Sequence, residues 1–360
     1  MKKTILHIIN NLSPGGAERM LVTVTKELKE YTNIIVTLDP TNNFEDELVC
    51  DKYICLNTPS PLQFPLAAIK LRSLIKEHKP DIVHSHLFWP TLIARMGTPK
   101  KIPLVTTIHS FVATSIEYKK RHVRWIDKVS FRFRKSIIIA VAKGALKEYF
   151  SFLKVKPYKA YSLYTFVDTR IFNDASAMPV MKRGDNFKII SVGTLKGQKN
   201  QQYFIDAFKQ LKDEKIELHI YGIGPLKAVL EKSLKENNIN NIVLKGLVKN
   251  IQQVIPQCDL FTMSSTFEGF SLAVLEAMAL SMPMLLSDID SFREQCEGTA
   301  EYFSLNNPND FVTKLKQLAT DNSKLQQLGE NAKQRVLANF TLEHHMEGLR
   351  SIYLEALSRK

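Results

Sequence analysis

Short apolar runs alternate with longer amphipathic ones through most of this chain, and the pattern runs through twice with a polar break between. In the first pass Thr4–Ile9, Asn33–Leu38, Asp81–Ser85 and Leu104–Ile108 are short and rich in Ile, Val and Thr, which predicts strands. Ala17–Glu30 and Leu66–His78 carry apolar residues at helical spacing, and Pro80 stops the second. Residues 171–186 are polar and broken. Beyond them strands are predicted over Phe187–Val192, Ile216–Tyr221, Ile242–Lys245 and Leu260–Met263, with helices over Gln201–Leu211 and Leu226–Lys235. Strand and helix in strict alternation is what a parallel sheet covered on both faces requires. The expectation is an α/β protein of two such domains, residues 1–170 and 187–340, joined by a linker at 171–186. A chain of 360 residues can fill two cores. Leu342, Met346, Leu349, Tyr353 and Ala356 then give residues 341–360 the stripe of a terminal helix, with Thr341 ready to cap it.

Charge separates the halves. Residues 1–170 hold 27 Lys and Arg against 14 Asp and Glu, and residues 171–360 hold 22 against 22. The whole formal charge of +13 therefore lies in the first half, which is expected to meet something anionic. Cys50, Cys55, Cys258 and Cys296 are scattered, which reads as buried inert thiols; no clustered zinc ligands are visible. No window reaches the roughly 18 apolar residues of a membrane span. The apolar run after Met1-Lys2-Lys3 contains His7 and stops at Asn10-Asn11, so it reads as a buried strand rather than a signal segment. A cytoplasmic protein is expected.

The chemistry concentrates in loops that follow strands. Glu268–Ala279 is a strand exit, a glycine-bearing loop and a helix opening near Ser271. A helix start reached this way presents N–H groups and a positive dipole end to an anion such as a diphosphate. Glu276 falls in the first two turns, where it could accept from sugar hydroxyls, and Glu268 lies in the loop; both fit equally well as solvated surface carboxylates. Tyr221–Pro225 brings Gly222 and Gly224, and Val192–Lys199 brings Thr194, Lys196 and Lys199. In the first half Ser13–Glu18 offers Gly15 and Gly16 at a helix start, and Thr106–His109 ends a strand on a histidine. His109, and His84 with His86 on one strand face, fit structural packing as well as function.

Taken together, these segments resemble glycosyltransferase family 4, the retaining enzymes of GT-B fold. Glu268–Ala279, followed by Pro283 and Ser287-Asp288, resembles the family's E-x(7)-E signature. Ser13–Glu18, Pro80–His86, Thr107–His109, Asp168 with Phe172, Val192–Lys199, Gly222–Pro225 and the terminal helix follow the family order. The resemblance implies two Rossmann-like domains facing a central cleft, with the terminal helix returning to the first. It implies that Glu276 holds the donor ribose, Glu268 the transferred sugar, and the amides of Gly269, Phe270, Ser271 and Leu272 the diphosphate, with Lys199 as its cation. His109 would approach the donor sugar, and Gly15 and Gly16 would line the cleft. Thr194 stands where the family has an arginine, for which Lys196 could substitute as a point charge. Asp290-Ser291 replaces a typical Gly-Gly.

The activity so implied is metal-independent transfer of a sugar from a nucleotide diphosphate, UDP being the commonest, to a hydroxyl of a lipid-linked or surface glycan. No cofactor is implied. A sugar-nucleotide epimerase of the same architecture is the alternative, and a basic nucleic-acid-binding module a weaker one. Residues 119–135 hold eight basic residues and one acidic, with Trp125, Val129 and Phe133 at i, i+4, i+8. That stripe fits either a core-facing helix or one lying on a membrane. With the charge of its domain, it leads to the expectation of peripheral attachment to the inner membrane face through Arg121, Arg124, Trp125, Lys128 and Arg132.

Overall fold

In a computed structural model the described residues are 2–112, 117–172, 186–212 and 214–358. They divide into two compact units: Met1–Thr165 with Glu343–Lys360, and Phe166–Leu342. The division falls before the expected linker, of which residues 173–185 lie outside the described residues.

The first unit opens with β1 (Lys3–Ile9), α1 (Gly16–Glu27), β2 (Tyr31–Thr37), β3 (Lys52–Cys55) and α2 (Phe64–His78). It continues through β4 (Ile82–His86), α3 (Phe88–Gly97), β5 (Leu104–Ile108) and α4 (Arg121–Phe133) to β6 (Ile137–Ala140), α5 (Lys143–Leu153) and β7 (Lys159–Ser162). All seven strands are parallel, in the order β3-β2-β1-β4-β5-β6-β7. Ile5, Leu6, Ile8 and Ile9 in β1 are fully buried, as a strand covered on both faces demands.

The second unit runs through β8 (Phe187–Val192), α6 (Gln202–Phe208), β9 (Ile216–Tyr221), α7 (Lys227–Glu236), β10 (Ile242–Gly246) and α8 (Ile251–Val254). Then follow β11 (Leu260–Met263), α9 (Leu272–Ala279), β12 (Met284–Ser287), α10 (Asp290–Cys296), β13 (Glu301–Phe303), α11 (Pro308–Thr320) and α12 (Asn322–Asn339). Its six strands are also parallel, ordered β10-β9-β8-β11-β12-β13. In each sheet the order reverses beside the first strand, at β1/β4 and at β8/β11. Open sheets bind ligands beyond the carboxyl ends of strands at such a reversal.

The last helix, α13 (Leu342–Leu357), buries the stripe that its spacing predicts: Leu342, Met346, Leu349, Tyr353 and Ala356 are at most 3% exposed. From Glu343 onward it belongs to the first unit, where Tyr353 stands 2.7 Å from Nδ1 of His84 and Arg350 pairs with Glu30 at 2.6 Å.

The core-facing reading of the α4 stripe is corrected. Trp125 is 65% exposed and Phe133 79%, with Val129 half-buried; the core receives Val123, Asp127 and Phe131 instead. The spacing is the same, shifted by two residues to the opposite face. An aspartate in the middle of the buried set hides it from any apolar pattern. Among the described residues no helix is long and apolar enough to cross a membrane.

Candidate active site

The loop after β8 and the loop after β11 flank the reversal of the second sheet and are tied together. Thr266 N–H donates to Gln198 O at 2.9 Å, and Ser264 Oγ donates to the carbonyls of Lys199 and Asn200. This brings Lys199 and Glu268, 69 residues apart, into an ion pair of 2.6 Å with both side chains largely buried. Ser265 Oγ donates to the same carboxylate oxygen at 2.6 Å. Glu268 is thus a held, buried carboxylate, not a solvated one. Glu276 lies half-buried in the second turn of α9.

At the start of α9 the N-cap Ser271 does not cap. Its hydroxyl turns to Met263 Sδ at 3.7 Å, and no side chain of the cap accepts from the first turn. The dipole end of α9 thereby keeps its attraction for an external anion. One expected donor is corrected, however. The Ser271 amide gives its proton to Oε1 of buried Gln295 at 3.0 Å, and Gln295 Nε2 returns a bond to Ser271 O. Gly269 and Phe270 are buried in the approach to the helix and Leu272 is its first residue.

Gly222 and Gly224 serve a different neighbour from the one anticipated. Gly222 has φ +146°, and a Cβ there would lie 2.0 Å from Gly193 O; one on Gly224 would lie 2.4 Å from Leu195 O. Their loop is stitched to the β8 loop through Leu195 N to Ile223 O and Leu226 N to Leu195 O. The glycines let two backbones approach, and in doing so shape the lysine-bearing loop. Thr194 and Lys196 are exposed on that loop.

In the first unit Gly15 and Gly16 lie exposed at the start of α1. His109, after β5, lines a pocket of about 210 Å³ together with Asn10, Leu87, Trp89, Ser110 and Tyr118. Leu87 takes φ +68° as the chain leaves β4, a conformation that costs a leucine about 1–3 kcal/mol. Strain of this kind collects at functional loops.

Behind His109 lies a cluster of which sequence reasoning saw two members, His84 and His86, and missed the third. His7 of β1 pairs in register with His84 of β4, so His7, His84 and His86 share one face of the sheet and are all buried. Their ligand atoms fall within 4.8 Å of one another, which corrects the expectation of no clustered ligands. Both nitrogens of His84 are already bound, though, to Tyr353 OH and Thr107 Oγ1 at 2.7 Å each. Two rings remain, fewer than the three protein ligands a zinc site uses. Burial pushes the His7 imidazole down to about 4 and holds His86 well below the usual range. Burial, and then the His345 charge, push His109 down to about 3.

Of the residues proposed to meet a membrane, Arg121 and Arg132 are exposed and Lys128 half-buried. Arg124 is not available. Its guanidinium donates to Tyr118 O at 2.6 Å and Lys119 O at 3.2 Å and lies over the Phe152 ring.

Two parallel-sheet units, each with its loops gathered at the strand ends, are the frame that known relatives share. A model of glycosyl transferases group 1 matches residues 176–335, and one of glycosyltransferase family 4 matches residues 14–171. The chain belongs to the GT-B glycosyltransferases. This transferase is 26% identical, over 92% of its length and 94% of the relative's, to a Campylobacter jejuni enzyme. That enzyme is named N-acetylgalactosamine-N,N'-diacetylbacillosaminyl-diphospho-undecaprenol 4-alpha-N-acetylgalactosaminyltransferase. It is 24% identical over 81% of its length, and 80% of the relative's, to an Escherichia coli UDP-Gal:alpha-D-GlcNAc-diphosphoundecaprenol alpha-1,3-galactosyltransferase. In fold it resembles Anabaena HepE, solved with UDP and glucose, at a TM-score of 0.84 and 16% identity, covering 98% of this chain and all of that one.

Proposed function

We propose that this transferase moves a sugar, with retention, from a UDP-linked donor to a hydroxyl of a lipid-linked or growing surface glycan, without a metal. The observation that carries the reading is the Lys199–Glu268 pair at the β8/β11 reversal, beside a helix start whose N-cap leaves it open. Lys199 and the α9 dipole stabilise the diphosphate as it leaves, the task a metal performs elsewhere. The amides of Gly269, Phe270 and Leu272 approach it, and Lys196 adds charge where Thr194 has none. Glu268 holds the transferred sugar, Glu276 the ribose, and His109 a sugar hydroxyl. The acceptor oxygen bonds to the anomeric carbon as that carbon's bond to the diphosphate breaks, and the departing phosphate takes the hydroxyl proton. The names of these two relatives support α-linked products and undecaprenyl acceptors, and both are named as transferases, which disfavours the epimerase alternative.

A panel of nucleoside diphosphates tests this on the full chain. UDP at 100 times its dissociation constant should add about 2.7 kcal/mol of stability, read as a thermal shift that EDTA leaves intact. No shift with any of them, or a shift that EDTA removes, would overturn the donor assignment or its metal independence respectively.

Peripheral attachment through α4 is part of the same reading. Exposed Trp125 and Phe133 supply an apolar face flanked by Arg121, Lys128 and Arg132, each cation contributing about 1 kcal/mol near an anionic leaflet. The protein should sediment with anionic vesicles at low salt and be released at high salt. Gln at 121, 128 and 132 should release it with donor hydrolysis unchanged; Arg124 stays, because its carbonyl contacts hold α4 to the fold. Equal sedimentation of both proteins would remove the segment from consideration.

A further inference from the structure

Gln295 of α10 is wholly buried and gives both ends of its side-chain amide to a single residue of another segment. Its Oε1 accepts from the Ser271 N–H at 3.0 Å, and its Nε2 donates to the Ser271 carbonyl at 2.8 Å. The same carbonyl accepts from the Leu275 N–H at 3.1 Å, as that of the residue before a helix does. Gln295 is itself anchored. Arg335 of α12 donates to its backbone carbonyl at 2.8 Å and to that of Glu294 at 2.9 Å.

Two bonds to one residue dictate its conformation. An extended residue points its N–H and C=O to the same side, where a single partner reaches both, as a neighbouring strand does. A helical residue points them in opposite directions along the axis. Ser271 is extended, with φ −79° and ψ 117°. Were it to join the helix, one of the Gln295 bonds would break and leave a buried polar group without its partner. Gln295 therefore sets where α9 begins. A start one residue earlier would carry the first free amide about 100° round the axis.

That start decides which amides are on offer. The first four N–H groups of a helix, counted from its cap residue, have no partner inside it. Gln295 takes the first, on Ser271, and Val274 is buried. Leu272 and Ala273 are half-buried, and their N–H groups have no acceptor among the described residues. A capping hydroxyl commonly accepts from the second or third helical amide, but that of Ser271 is turned to Met263. We propose that Gln295 is a positioning residue: it fixes the first turn of α9 so that a diphosphate is received by the amides of Leu272 and Ala273 and not by that of Ser271. The inference rests on the diphosphate reading above and adds to it a residue that touches no substrate.

Binding of UDP and of uridine to the full chain tests this, because the nucleoside lacks the phosphates. Gln295→Met fills the same space and makes neither bond. It should weaken UDP about tenfold, the effect of one misaligned charge-assisted bond, and leave uridine unchanged. Gln295→Glu should weaken UDP further near neutral pH, and its deficit against the natural chain should narrow as the pH falls. A protonated carboxyl donates and accepts as the amide does, whereas a carboxylate repels both the Ser271 carbonyl and the ligand. Equal UDP affinity in the natural chain and Gln295→Met, or an equal loss of UDP and uridine, would overturn the role of Gln295 alone. No UDP binding by the natural chain would overturn the diphosphate reading and this inference with it. Should neither variant fold, amide NMR of the natural chain labelled with ¹⁵N still decides. On adding UDP the Leu272 and Ala273 signals should move most, and that of Ser271 little. A Ser271 signal that moves as far as theirs would overturn the proposal.

Discussion

Lys199→Ala is expected to erase the thermal shift produced by UDP and to lower kcat/KM by about 100-fold or more. The magnitude follows from how little else carries charge there. Thr194 brings none, and Lys196 is exposed and lacks the bidentate fork of an arginine. In the unliganded protein Lys199 is neutralised by Glu268, so the pair has a structural share that must be separated from the functional one. Losing one partner leaves Glu268 on Ser265 and Gln198, which should cost about 1–3 kcal/mol of stability. That cost lowers the melting temperature with and without nucleotide alike. The ligand-induced difference between the two melts reports the diphosphate alone. Glu268→Gln should keep that difference and still lose turnover, because the amide retains the shape and not the charge. If Lys199→Ala binds UDP as the natural chain does, the diphosphate site lies elsewhere.

Much of the frame was legible because its signals are long. Strands such as Phe187–Val192 and Ile216–Tyr221, and the α13 stripe, repeat one pattern over enough residues to stand out from chance. β3, β6, β7 and β13 are three or four residues long and left no period to detect. The site was legible in part. A glycine-bearing loop between strand and helix marks the place, so Glu268 and Lys199 were nominated from their loops. Their pairing was not, because it depends on β8 and β11 being neighbours across 71 residues of chain. Gly222 and Gly224 show the converse: glycine announces a close approach but not to what, and here it is the backbone of the adjacent loop. The histidine cluster was half visible. His84 and His86 alternate onto one face of β4, but the third ring arrives from β1, and only the sheet order brings it there.

The buried face of α4 escaped the sequence for a reason that also makes a strong prediction. Its buried face is Val123, Asp127 and Phe131, and Asp127 is there to meet a charge. Arg95 of α3 is paired with it, both side chains at most 2% exposed. Tyr118 OH donates to Asp127 Oδ2 at 2.5 Å, while Tyr149 accepts from Arg95 Nη2 at 3.0 Å and donates to Asp127 Oδ1 at 3.3 Å. Burial lowers the Arg95 pKa, and its contacts with Tyr149 and Asp127 more than offset that. With Asp127 gone the guanidinium still stays charged, because arginine does not deprotonate in proteins. Asp127→Ala therefore strands a buried cation, and unfolding in urea should show a loss of about 3–5 kcal/mol. Tyr118→Phe removes one charge-assisted bond and should cost about 1.5–3 kcal/mol. Replacing both charges, Arg95→Met with Asp127→Leu, should recover most of the loss, since the penalty lies in the unpaired charge rather than in the missing bond. The readout can be confined to the right unit: both tryptophans, Trp89 and Trp125, lie in the first, so their fluorescence follows its unfolding alone. Trp125 sits on α4 itself, and its emission should shift earliest if that helix is the part released. A loss below about 1 kcal/mol in Asp127→Ala would mean that water reaches Arg95 and that the network does not anchor the helix.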